Sequence, residues 1–324
     1  MEHCNIAIVG AGPAGIASAV EAKTAGISSV VIFEKARHLN DTIVTLYHEG
    51  KRVDPVYRKV KIDPIGKLSF DTETREEFLK RMEEVSSAHS LDVRLKSEVT
   101  KVITQADGSF KLVTGAGSEV VAQVVIVAIG VFGKPVKPSY PISAELKDRV
   151  LFSLPKTPIE GSSVLVVGGG DTAAEVACFL CEKNDVSLSY RRAEFFRLND
   201  INACNLKRCS CKNKINVMLS TDIDHLSRDT AGEKIAVLFK DGRTMSYDYV
   251  LYCLGGSTPQ AFLEAAGVEF NGKMAVADSA GETNVQRLFL AGDLAVEKGS
   301  IMAAFNSAKR TVDAVKERYG QLFR

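Results

Sequence analysis

Apolar residues in this chain gather in short runs that stop at glycine. NIAIV (residues 5–9) runs into GAGPAG, and SVLVV (163–167) runs into GGGDTA. Short aliphatic runs bounded by glycine predict buried strands. After each glycine cluster comes an alanine-rich stretch of helix-forming composition, then a second apolar run, VVIF (30–33) and VSLSY (186–190). Residues 5–35 and 163–192 thus share one plan, strand, glycine turn, helix, strand, which opens a dinucleotide-binding fold. VVIVAIG (124–130) and YVLYCLG (249–255) predict the strands at which the chain leaves and re-enters the first domain. Residues 234–253 predict a hairpin with DG at its turn. LFLAGDLA (288–295) predicts a buried strand running into an acid; the helix after it carries Ile301, Ala304, Phe305 and Ala308 at helical spacing. Residues 57–84 predict a polar loop, a capping signal at Thr72 or Thr74, and an amphipathic helix. The expected fold is α/β, two Rossmann-like, three-layer ββα dinucleotide-binding domains. One comprises residues 1–133 and 256–324, and the other, residues 134–255, is inserted in it.

Each glycine cluster suits a phosphate. In the first, Gly10 permits the tight turn, Gly12 leaves bare backbone for a pyrophosphate, and Gly15 lets helix and strand approach. Pro13 and Ala14 complete the turn, and the free amides of the helix start meet the phosphate charge. Glu34, followed by Lys35, ends the second strand 24 residues after Gly10, where an acid accepts hydrogen bonds from ribose hydroxyls. The second cluster runs Gly168, Gly169, Gly170, Asp171, Thr172, Ala173, with alanine in the third glycine's place. Its second strand ends in Arg191 and Arg192, 23 and 24 residues after Gly168, with Arg197 close behind. A carboxylate there repels a 2′-phosphate, whereas guanidinium groups pair with it in bidentate fashion. The second site is therefore expected to take NADP rather than NAD; a solvated strand end is the alternative. A bound flavin and a visiting nicotinamide explain two dinucleotide sites most simply, because hydride passes directly between them.

Composition narrows the picture only a little. The 324 residues, 45% hydrophobic and 25% charged, are those of a soluble globular protein. A net charge of +1 gives no ground for a nucleic-acid or anionic-membrane partner. The longest apolar run, residues 124–132, is about half of what a spanning helix needs, so no membrane span is expected. The first strand starts almost at the N-terminus, so no leader is expected. Seven cysteines, an odd number, argue against a secreted disulfide framework. The expected location is the cytoplasm.

At GAGPAG (10–15), AIG (128–130), GGGDTA (168–173), YRR (190–192) and AGD (291–293) the chain resembles the thioredoxin-reductase-like flavoproteins, over nearly its whole length. The resemblance implies FAD in the first domain, beside Ala128 and Gly130, and NADPH in the second. It implies that Asp293 holds the ribityl or pyrophosphate side of FAD. It also implies that the helix beginning near Ile301 aims its N-terminus at the isoalloxazine, where it would stabilise the negative reduced ring. Homodimers are usual among these proteins and are expected here by analogy.

The disulfide of that family is missing. Thioredoxin reductases place a reactive CxxC just ahead of the second glycine cluster, where this chain reads LFSL (151–154). The larger disulfide reductases place theirs early in the flavin domain, yet no cysteine lies between Cys4 and Cys178. Bacillithiol-disulfide reductases carry a cysteine inside the first glycine turn; the matching residue is Ala14. Cys178 and Cys181 have CxxC spacing but fall inside the helix after the second glycine turn, where both share one face and pack as small hydrophobes. Cys204, Cys209 and Cys211 read as a surface segment whose neighbours Lys207, Arg208 and Lys212 keep a redox role open; no fourth ligand completes a metal site. Cys253 reads as strand core.

Without a sulfur relay, electrons must leave the flavin for an external acceptor. Among relatives lacking the CxxC, the chain most resembles the NADPH–ferredoxin and –flavodoxin reductases, including flavodoxin–quinone reductases. The partner so implied is a small acidic carrier, flavodoxin or ferredoxin, or a quinone. Lys134, Lys137, Lys207, Arg208, Lys212 and Lys214 are candidates to steer such a carrier. Aromatic residues often cover the flavin in that group; Tyr47 or Tyr57, and Tyr319 or Phe323, are the candidates. A disulfide reductase using CFLC or CSC is the alternative activity, and a flavin-binding sensor without turnover a third.

Overall fold

The computed structural model describes residues 2–57, 60–131, 134–155, 157–257, 259–296 and 299–323, the side chains of residues 57, 60, 134, 256 and 257 apart. The chain forms two compact units, residues Met1–Lys134 with Ser257–Arg324, and Pro135–Gly256. Each is α/β, and the second interrupts the first.

In the first unit β1 (Glu2–Val9) leads through α1 (Pro13–Thr24) to β2 (Val30–Phe33), which pairs with it in parallel. A short helix, α2 (Asp41–Leu46), precedes α3 (Arg75–Ala88). Thr74 caps α3, taking the Glu77 N–H while the Glu77 carboxylate takes the Thr74 N–H at 2.8 Å, so the capping signal belongs to Thr74. Then follow β3 (Asp92–Arg94), which extends the parallel sheet beyond β2, and β4 (Val99–Thr104), β5 (Phe110–Thr114) and β6 (Glu119–Val127), joined as an antiparallel meander. The second half of β6, Val124–Val127, is wholly apolar and buried because both faces are covered. Val124 and Ile126 face α1 with Ile6 and Ile8, while Val125 and Val127 face the meander with Phe110 and Leu112.

The second unit repeats the construction. β7 (Val150–Leu151), β8 (Ser163–Val167), α4 (Asp171–Leu180), β9 (Asp185–Tyr190), α5 (Asp200–Cys211), β10 (Ile215–Leu219), β11 (Ile223–Arg228), β12 (Ile235–Phe239), β13 (Thr244–Tyr247) and β14 (Tyr249–Tyr252) follow in order. The parallel sheet runs β7-β14-β8-β9-β10, and β11-β12-β13 form an antiparallel sheet. The expected hairpin is β12–β13, with Gly242 at φ +88 in its turn. Residues 249–252 leave it for the parallel sheet. One face of that sheet packs Val164, Val166 and Leu188 against α4 and α5, and the other packs Leu165, Val250 and Tyr252 against β12.

The chain then re-enters the first unit. β15 (Leu288–Leu290) pairs in parallel with the second half of β6, Val125–Val127, whose first half pairs with β5. α6 (Ile301–Tyr319) begins at the expected residue, with the Ser300 hydroxyl accepting the Ala303 N–H at 3.1 Å, and packs beside α1. Among the described residues no helix is long and apolar enough to cross a membrane.

Candidate dinucleotide sites

The first glycine turn is built by backbone contact. Gly10 has φ +107, and a Cβ there would lie 2.6 Å from the Ala128 carbonyl oxygen. A Cβ on Gly15 would lie 1.9 Å from the Gly10 carbonyl oxygen. Only glycine lets the turn, α1 and β6 meet this closely. Gly12 is different, since nothing lies within 4 Å of where its Cβ would be. It caps α1 with no side-chain bond, and Pro13 follows it, so open space lies against the unsatisfied amides of a helix start. Ala14 is buried and packs on Gly292.

Glu34 is buried at the end of β2. One carboxylate oxygen accepts the Ala11 N–H and the other the Ala36 N–H, each at 2.8 Å. Each oxygen keeps a lone pair for a further donor. Lys35 is exposed and Gly130 has φ +63. Asp293 lies in the turn after β15, and burial pushes its carboxyl above the usual value. One residue that the sequence reading missed belongs here. Asn40, 1% exposed, has both side-chain amide atoms buried without a partner. Space above bare amides, a buried carboxylate with lone pairs to spare and an orphaned amide are what a polar, hydroxyl-bearing anion such as FAD would satisfy.

The aromatic candidates divide. Tyr47 packs on the cluster around Ile16 and Phe78, and Lys51 Nζ sits 3.7 Å from its ring centre. The Tyr57 side chain lies outside the described residues. Tyr319 is buried edge-on to Phe289 with its hydroxyl donated to Glu282, and Phe323 packs on the core cluster containing Val315.

The second turn follows the same steric logic with different neighbours. A Cβ on Gly168 would lie 2.5 Å from the Cys253 carbonyl oxygen, and one on Gly169 would fall 2.1 Å from the Tyr190 ring. Gly170 caps α4 and has open space. Asp171 is a tether: its Oδ1 accepts the Asn199 N–H at 2.8 Å and the Asn202 amide at 3.0 Å, fixing the start of α5. Thr172 is exposed on the first turn and Ala173 is buried. Arg191, Arg192 and Arg197 are all exposed, and no carboxylate among the described residues pairs with them. A bridge between Gly170 and Arg197 brings the loop after β9 back to the glycine turn, a proximity invisible in the sequence. Arg192 lies over Phe196 at 4.5 Å, and Tyr190 stacks on Phe195 at 5.3 Å. Unpaired guanidinium groups beside a helix start fit a phosphorylated dinucleotide.

The cysteines correct one expectation. Residues 202–211 are a surface segment as expected for Cys204 and Cys211, but they form most of a helix, α5, and Cys209 is buried in the core cluster that holds Cys178 and Cys181 of α4. Burial, then the neighbouring Cys209 thiol, pushes Cys178 and Cys181 up to about 12. Cys253 is half-buried one residue past β14 rather than within it. Cys204 and Cys211 are exposed. A thiol with so high a pKa is almost wholly protonated near neutrality, and only thiolate is alkylated. Iodoacetamide at about pH 8 is therefore expected to modify Cys204 and Cys211 and spare Cys178 and Cys181. Peptide mass spectrometry reads the outcome; labelling of Cys181 as fast as Cys204 would contradict the burial. Of the basic residues, Lys214 is paired with Glu182 at 2.7 Å, Lys137, Lys207, Arg208 and Lys212 are exposed, and the Lys134 side chain lies outside the described residues.

A model of the pyridine nucleotide-disulphide oxidoreductase family matches residues 7–292. A ferredoxin–NADP reductase of Ignicoccus hospitalis is 28% identical over 302 residues, 92% of each chain. Another, from Bacillus licheniformis, is 27% identical over 321 residues, 96% of this chain and 91% of that one. Among solved structures, bacillithiol disulfide reductase from Bacillus cereus matches with a TM-score of 0.83 at 19% identity, covering 98% of this chain and 100% of the other. Thioredoxin reductase of T. acidophilum matches at 0.79 with 21% identity, covering 98% and 99%. At those identities the structural likeness is one of fold.

Proposed function

As the chain belongs to the pyridine nucleotide-disulphide oxidoreductase family, we propose that it is an NADPH-dependent FAD oxidoreductase whose electrons leave for an external carrier of ferredoxin or flavodoxin type. FAD belongs at the first glycine turn and NADP(H) at the second. When bound, the flavin supplies the exchange between two-electron and one-electron chemistry. The protein's own residues bind and orient. Gly12 opens the α1 amides to a diphosphate, Glu34 offers two lone pairs to hydroxyls, and Arg191, Arg192 and Arg197 offer charge to a 2′-phosphate.

The observation that carries the choice of acceptor is the state of the sulfur. Position 14 is alanine, residues 151–154 hold no cysteine, and the one CxxC is built into the core of the second unit with its thiols protonated. The names of the sequence relatives support a ferredoxin-type carrier over a quinone.

A variant with Cys178, Cys181 and Cys209 all changed to alanine tests this. It is expected to keep its flavin and its rate of NADPH-dependent carrier reduction, at a stability cost of roughly 1 kcal/mol per buried sulfur. Anaerobic titration with NADPH is expected to place two electrons on each FAD. Uptake of four, or lost turnover in a folded, yellow variant, would establish the disulfide-reductase reading instead.

A further inference from the structure

Asn40 is alone among the described residues in burying a whole side-chain amide with neither atom bonded. Buried amides are almost always paired, since an unpaired one forfeits the hydrogen bonds that water made to it. Its backbone is left-handed, at φ 53 and ψ 36. Asparagine tolerates that region mainly by bonding its side chain to local backbone, and here it makes no such bond. Nothing among the described residues accounts for an amide at this place.

Its surroundings do. The Asn40 N–H donates to the Ala11 carbonyl at 2.9 Å, and the Ala11 N–H donates to Glu34 Oε2 at 2.8 Å. Asn40 and Glu34 therefore hang on opposite ends of one residue of the glycine turn. An orphaned Nδ2 needs an acceptor and an orphaned Oδ1 a donor. A phosphate oxygen satisfies only the first, whereas a hydroxyl satisfies both. We propose that Asn40 is a second ligand, beside Glu34, for sugar hydroxyls of the FAD bound at this turn. This rests on the reading that the first unit binds FAD.

The test uses the full-length chain with its flavin removed and added back, followed by flavin fluorescence and thermal unfolding. Asn40→Gly keeps the left-handed backbone and deletes only the amide. The Kd for FAD is expected to rise roughly ten- to a hundredfold, with the melting temperature of the flavin-free chain unchanged or higher. Competition by ADP, which carries the ribose but no ribityl chain, locates the contact. Parallel loss of ADP affinity assigns it to the adenosine ribose, and unchanged ADP affinity assigns it to the ribityl hydroxyls. Wild-type affinity for FAD in the variant overturns the proposal, as would occur were the amide bound only by water. A lower melting temperature with unchanged Kd overturns it too, in favour of a packing role. Failure of the unaltered chain to take up FAD would refute the underlying assignment of the site and is seen before any variant is compared.

Discussion

Gly15→Ala is expected to yield protein without flavin. The added methyl would stand 1.9 Å from the Gly10 carbonyl oxygen and 3.0 Å from its carbonyl carbon. Both belong to backbone that the β1–α1 turn holds, so no side-chain rotation relieves the overlap. α1 must move away from β1, and with it the amides that would face the diphosphate. Overpacking a core side chain costs roughly 1–3 kcal/mol; displacement of a helix from a central strand exceeds that range. At least a hundredfold loss of FAD affinity is expected, read as the ratio of flavin to protein absorbance after purification. Gly12→Ala is the control. Its methyl meets no protein atom within 4 Å, so the chain should fold with stability within about 0.5 kcal/mol of the original. It should still bind FAD more weakly if, as proposed, that space is the ligand's. A Gly15→Ala variant with full flavin content would show that the turn is not a dinucleotide site.

Replacing both Arg191 and Arg192 by alanine is expected to abolish the preference for NADPH over NADH. Each exposed guanidinium lacks a carboxylate partner among the described residues, so each is available to a phosphate dianion. A charge-assisted hydrogen bond is worth roughly 1.5–3 kcal/mol. Exposure and salt reduce this, and the two contributions are not additive. The ratio of kcat/KM for the two coenzymes should fall by about a hundredfold in the double variant, mostly through NADPH. Arg192→Lys alone should recover little, since an ammonium cannot keep the flat guanidinium contact with Phe196 at 4.5 Å. A wild-type ratio near one, or one untouched by the double substitution, removes the assignment to NADP.

Both glycine turns were readable in the chain because what demands glycine there is local. The strand before, the helix after and the spacing between them are contiguous. The same holds for the apolar stripe of the helix at Ile301 and for the capping signal at Thr72 or Thr74, which the structure assigns to Thr74. α5 was not readable. Only Asn202, Leu206 and Cys209 of its twelve residues are buried, too few to mark a face amid charge and sulfur. Nor did any pattern disclose the return of Arg197 to Gly170 or the tether from Asp171 to Asn199 and Asn202, because both depend on residues that meet only after folding. Asn40 escaped notice for a related reason. A lone asparagine in a polar stretch reads as a turn residue, and only burial with no partner makes it conspicuous.

The split allegiance of β6 has a consequence for biosynthesis. Its final residues, Val125–Val127, wait for a strand that lies beyond the entire second unit, at Leu288–Leu290. On the ribosome the second unit emerges whole before the first can close, so the half-made sheet must keep an open apolar border through more than a hundred residues of translation. The inserted unit owes nothing to this delay, having all of its own strands in one continuous run of chain. Nascent-chain quality control would therefore meet the amino-terminal half in its most adhesive form, and chaperone dependence should concentrate there.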